Sequence, residues 1–208
     1  MRVEFVSELI GTFFMVFIGC LAIKQDSGEP IISLAFGGAV CVVIVFSRRF
    51  SGAHINPAVS IAFSISGELD KKLLPTYVCA QLLGGLIAGL ALGGSGATDF
   101  SLNLGWGILI EVAITMALML SIYLTIWHTN NDIVVGMIVG IVVAILAFYF
   151  GTYTGASMNP ARTFGPNLVF GSTTVIPAYL TATTFGGVLA ALISKKLRNS
   201  TKETQAFN

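Results

Sequence analysis

The chain has 208 residues, 55% of them hydrophobic and 10% charged, with a formal net charge of +1 and a mean hydropathy of +0.87. Soluble domains carry roughly 25% charged residues, so this composition excludes an ordinary soluble fold. The near-neutral balance leaves no whole-molecule field with which to attract nucleic acid.

A bilayer core of about 30 Å needs roughly 20 mostly apolar residues per helix. Six segments satisfy this, at about 4–23, 31–48, 72–93, 104–127, 132–150 and 174–194. No small-residue cleavage pattern follows the first, so it reads as a span and not as a cleaved signal peptide. Of the Lys and Arg residues, Arg2, Arg48, Arg49, Lys71, Lys72, Lys195, Lys196, Arg198 and Lys202 fall on one side of such a bundle. Lys24 falls on the other and Arg162 stands apart. The positive-inside rule then puts both termini in the cytoplasm, with 195–208 as a basic cytoplasmic tail. Cys20, Cys41 and Cys79 lie inside the spans without metal or redox spacing and read as packing residues.

Two stretches between the spans, near 56–66 and 159–169, are too short to cross. Each opens on Asn-Pro, a strong N-cap followed by the residue best suited to the first helical position. A helix from there to Gly67 or Gly171 runs about ten residues, or about 15 Å, half a bilayer. The Gly-Ala stretch before each must be non-helical backbone at membrane depth. Such backbone is tolerated only where protein buries it or a watered cavity solvates it.

The two stretches belong to a duplication. Ser51-Gly-Ala-His-Ile-Asn-Pro-Ala58 returns 103 residues later as Thr154-Gly-Ala-Ser-Met-Asn-Pro-Ala161, and the same offset carries Glu8 onto Glu111, Thr12 onto Thr115 and Gly37 onto Gly140. Later in each copy it slips to 102, pairing Tyr77 with Tyr179. The copies span about 4–93 and 104–194, with no separate soluble domain. Each holds three spans, an odd number, so the second is inserted upside down. The half-helices then enter from opposite faces and their Asn-Pro ends meet near the midplane, a known way of building a central solute site.

Two Asn-Pro-Ala boxes, the second continuing into Arg162, with Glu8 and Glu111 near the starts of the halves, resemble the aquaporin (major intrinsic protein) family over residues 4–194. The resemblance implies an all-α membrane fold, six transmembrane helices plus two re-entrant half-helices in a right-handed bundle. It implies a passive channel in a lipid bilayer for water and small neutral solutes, excluding protons and ions, and a homotetramer with one pore per subunit. Its pore boxes are Asn56, Pro57, Ala58 and Asn159, Pro160, Ala161. The carbonyls of Gly52, Ala53, His54 and Ile55, and of Gly155, Ala156, Ser157 and Met158, form its acceptor ladder. Its filter falls on Phe36, Ala147, Ala156 and Arg162, and Glu8 and Glu111 are its structural acids. Strict water channels have His where this chain has Ala147, which widens the filter toward glycerol, urea, ammonia or peroxide. Other markers divide: Thr163 replaces the Asp typical of glycerol facilitators, and Tyr179 looks water-type while Leu180 looks glycerol-type.

Several residues admit a second reading. Arg162 could be an interfacial Arg that snorkels, and Glu8 and Glu111 could relay protons instead of accepting from the loops. His54 could sense protons or make a structural hydrogen bond; His128 could do the former or be solvated in its loop. Gly93-Gly-Ser-Gly96 reads as a short flexible loop. Gly85-x-x-x-Gly89 and Gly136-x-x-x-Gly140 permit close helix approach. A strictly water-selective channel, an alternating-access transporter and a closed junction protein are the competing functions. No nucleophile–base pair, metal cluster or phosphate loop points to an enzyme, and no cofactor is expected.

Overall fold

A computed structural model describes residues 3–206, with side-chain environments through Arg198. The chain runs α1 (Val3–Lys24), α2 (Glu29–Ser51), α3 (Pro57–Ser66), α4 (Leu74–Leu92), α5 (Leu104–His128), α6 (Asp132–Thr154), α7 (Pro160–Val169), a 3-10 turn (Thr173–Val175) and α8 (Ile176–Ala206). Six of these helices are long and apolar enough to cross a membrane. Arg2 and residues 207–208 of the expected tail lie outside the described residues.

Helices α2 and α6 outrun their expected ends at 48 and 150. Both continue until Gly52 and Gly155, whose left-handed conformation closes the helix. Helix α8 continues past Ser194 into the expected basic tail, as far as Ala206. The half-helices begin where expected. Asn56 and Asn159 have extended backbone and accept from the N–H groups of Ala58 and Ala161, each at 2.9 Å, with proline following. Gly67 ends α3 in the left-handed conformation, but α7 stops at Phe170, short of Gly171. Gly171 instead packs against Ala97 and Asn167.

Helix packing follows the duplication. Helix α1 lies on α4 as α5 lies on α8, α4 holds α7 as α8 holds α3, and α2 crosses α6 between the halves. Small residues make these approaches possible. A Cβ on Gly37 would stand 2.3 Å from the Gly140 carbonyl oxygen, and one on Gly85 2.3 Å from that of Ala161. The expected glycine pairs are therefore backbone contacts inside the bundle: Gly89 meets α7 at Gly165, and Gly136 meets α2 at Cys41. Pro166, inside α7, has no N–H for the helix ladder, yet the neighbouring Gly165 is where α4 comes closest.

Candidate functional site

The segments between α2 and α3 and between α6 and α7 have an unusual backbone. Ala53 and Ile55 have φ of 50° and 45°, and Ala156 and Met158 have 39° and 52°. Non-glycine residues in this region cost about 1–3 kcal/mol each and persist only where their surroundings hold them. The alternation turns successive N–H groups to one side of the segment, and there a buried carboxylate collects them. Glu8 Oε1 accepts from His54 N at 2.9 Å and Ser51 Oγ at 2.7 Å; Oε2 accepts from Ile55 N at 2.6 Å and Gln81 Nε2 at 2.7 Å. Glu111 repeats the pattern, taking Ser157 N at 2.8 Å, Met158 N at 2.9 Å and Thr154 Oγ1 at 2.7 Å. Tyr77 and Tyr179 donate to the carbonyls of Ser51 and Thr154, each at 2.6 Å, anchoring the start of each segment. Glu8 thus accepts four hydrogen bonds and Glu111 three, every one of them from the chain itself.

The half-helices meet N-terminus to N-terminus. Asn56 Nδ2 donates to the Met158 carbonyl and Asn159 Nδ2 to the Ile55 carbonyl, each at 2.8 Å. The last carbonyl of each segment is therefore engaged by the Asn of the other half. One N–H of each carboxamide remains, and both Asn residues face a cavity of about 230 Å³. Among the box residues only the two Asn line it. The alanines pack against α4 and α8, at Gly85 and Gly187.

The cavity wall has two characters. Gly52, Ala53, His54, Ile55, Ala156, Ser157 and Met158 form a polar backbone stripe, and aliphatic residues such as Val40, Leu118, Val135 and Val143 face them. Gly155, expected in the ladder, does not line this cavity; it caps α6 and packs against Thr98. Phe36, Ala147, Ala156 and Arg162 all line it, while Arg48 and Glu68 mark its other end. The repeat offset carries these four positions onto Val139, Ile44, Ala53 and Val59, which also line the cavity. The duplication thus puts two equivalent sets of residues on one cavity wall, and only the set with Arg162 has a charged member.

Arg162 is 3% exposed and has no carboxylate partner among the described residues. Its Nη1 donates to the Gly96 carbonyl and lies 3.8 Å from Cys20 Sγ, and its guanidinium sits 4.8 Å from the centre of the Phe36 ring. The snorkelling alternative does not describe a side chain held in this way. Sequence reasoning missed the partners. The glycine loop read as flexible supplies Gly96, and it is tied down just beyond: Asn167 accepts from Thr98 N at 2.9 Å and donates to Thr98 O at 2.8 Å. Thr163 Oγ1 lies 2.9 Å from Thr98 Oγ1 and 2.6 Å from Ser157 Oγ, so the residue after Arg162 braces both the loop and the ladder. Gln81, on Glu8 and Ser60, was also missed; a lone Gln in an apolar span was the available signal. His54 Nδ1 lies 3.1 Å from Ser60 Oγ, and its ring packs on Phe63 and Tyr77.

Six membrane-length helices around two opposed half-helices, with a cavity passing their joined ends, define a membrane channel. The chain matches the family model "Major intrinsic protein" over residues 1–194. It is similar to aquaporin NIP1-1 of Zea mays, at 34% identity over 97% of this chain and 79% of that protein. It is also similar to nodulin-26 of Glycine max, at 32% identity over 96% of this chain and 79% of that protein. Among solved structures, the aquaglyceroporin of Plasmodium falciparum matches with a TM-score of 0.83 and 27% identity, over 93% of this chain and 95% of that one. The protein belongs to the major intrinsic protein family.

Proposed function

We propose that this protein conducts water and small neutral solutes passively while excluding protons and ions, with Asn56 and Asn159 as the central barrier and Phe36, Ala147, Ala156 and Arg162 as the filter. The observation that carries this reading is the reciprocal Asn-to-carbonyl pair at the joined helix ends, facing the cavity. Each helix N-terminus carries roughly half a positive charge, so two converging on one point repel cations. The free N–H of each carboxamide makes a passing water turn its oxygen toward the pair. Its hydrogens then point away along the file, and no proton relay forms. The open ladder carbonyls accept from those hydrogens, and the apolar wall offers no competing partner. At the filter, Arg162 donates to the solute and opposes cations, and the methyl of Ala147 leaves room that an imidazole would fill.

The relatives' names agree with this range, one being an aquaporin and another an aquaglyceroporin. Stopped-flow light scattering on reconstituted vesicles tests it. Water and glycerol fluxes should exceed those of empty vesicles, rise without saturation and have a low activation energy. Saturating flux would favour the alternating-access reading. The family resemblance and the basic flanks further support a homotetramer in the plasma membrane with cytoplasmic termini.

A further inference from the structure

The filter aromatic, Phe36, has a neighbour that no motif marks. A Cβ built on Gly19 of α1 would lie 2.2 Å from Phe36 Cε1, 2.3 Å from Cδ1 and 2.4 Å from Cζ. The ring therefore lies flush on the bare backbone of Gly19, inside the volume that any side chain there would need. The side of the ring away from α1 is open to the cavity. Phe36 lines the cavity and Gly19 does not, and the Arg162 guanidinium lies 4.8 Å from the ring centre.

The other half of the repeat shows what the notch replaces. The offset carries Gly19 onto Ile122 and Phe36 onto Val139, and both of those line the cavity. There, two medium side chains share the wall. At the filter, the α1 position has given up its side chain entirely and the α2 position has taken an aromatic that leans back into the space. An aromatic over a branched residue would project into the passage.

We propose that Gly19 is a specificity-determining positioning residue: its missing side chain sets how far the Phe36 ring reaches into the filter, and so the largest neutral solute that passes. The inference rests on the filter assigned above. Adding one methyl at position 19 moves the ring lumenward and against Arg162. Water, the smallest solute, loses least; glycerol loses most.

The test compares glycerol and water permeability in vesicles for the wild type, Gly19→Ala, Phe36→Leu and the double variant. Gly19→Ala should lower the glycerol-to-water ratio by about tenfold, the scale set by one methylene in a fitted site. Phe36→Leu should raise the ratio, and the double variant should fall between the two single ones, because the shorter side chain absorbs part of the push. A purely structural role for Gly19 would lower both fluxes together and leave the ratio alone. A Gly19→Ala channel with the wild-type ratio overturns the proposal. If Gly19→Ala does not assemble, the double variant must still show a ratio below Phe36→Leu alone, and equality there overturns it too. Wild-type vesicles no more permeable than empty ones would overturn the channel reading and this inference with it; a conducting wild type with an unmoved variant ratio overturns this one only.

Discussion

A carboxylate sealed in a membrane bundle costs several kcal/mol unless donors surround it. Glu8 and Glu111, both fully buried, have those donors in the strained segments before each half-helix. Each side of this arrangement stabilises the other, since the left-handed residues aim their N–H groups only while the acid accepts them. Glu111→Gln keeps the shape but turns an N–H donor toward a donor. It should destabilise the protein by about 1–3 kcal/mol, read as a lower melting temperature in detergent. Asn159→Asp keeps the helix cap and sets a charge against the Ile55 carbonyl. Conduction should fall or a cation leak appear, measured as pH-gradient dissipation in vesicles; unchanged water flux with a tight gradient would count against the barrier role. Ala147→His should lower the glycerol-to-water ratio in the same vesicles by adding bulk and a donor beside Arg162. The acids and the Asn boxes were legible because the repeat preserves them, whereas Ala147 and Arg162, whose repeat mates are Ile44 and Val59, were read from the family resemblance. Their partners Gln81, Cys20 and Gly96 were not legible, because each makes contact across a long stretch of chain.

At the scale of the element, the two half-helices were readable because their signals are local. An Asn cap, a proline at the first position and a glycine at the end are sufficient to start and stop α3. Helix α7 shows where local reading fails: it ends before Gly171, capped by Phe170 N on Pro166 O, and Asn167 in its last turn is engaged with Thr98. The loop after α4 is the stronger case. Its glycines, with φ of 64°, 74° and 85° at Gly93, Gly94 and Gly96, suggest mobility when read alone. In the fold they let the backbone reach Arg162 and press on Cys20. The α2–α6 crossing carries its own expectation. Gly140→Val would drive a side chain into the Gly37 carbonyl, 2.5 Å from the new Cβ, where no rotamer relieves the contact. Overpacking of this kind costs about 1–3 kcal/mol or more, so the yield of folded protein should fall sharply in detergent extracts. Recovery at the wild-type yield would contradict the backbone contact.

Across the whole molecule, the two halves do not contribute alike to the passage. The offset relates a lining set that contains Arg162 to an apolar one that contains Val59 and Val139. One end of the cavity therefore holds the buried Arg162 guanidinium and the other is marked by paired ions. Arg48 binds Asp132 at 2.5 Å and Asn130 O at 3.1 Å, and Arg198 of α8 binds Glu68 at 3.1 Å. Both cations stand on the face that the charge bias assigns to the cytoplasm. Cysteine reporters placed at the exposed positions 70 and 130 should react with impermeant reagents only from the cytoplasmic side. In mild detergent the protein should run as four copies of the 21.9 kDa chain; a monomeric mass by light scattering would count against the tetramer.

Apolar length, the offset between copies and the Asn-Pro signals lie within short windows of chain, so the amino-acid order alone was enough to read the spans, the duplication and the re-entrant helices. The notch under Phe36, the hold on Arg162 and the engagement of each carboxamide with the opposite segment arise only after folding. The contacts of Arg162 and of the two carboxamides join residues 66, 102, 104 and 142 positions apart. They depend on how closely two backbones approach, a distance set by the packed bundle and written in no single stretch of residues.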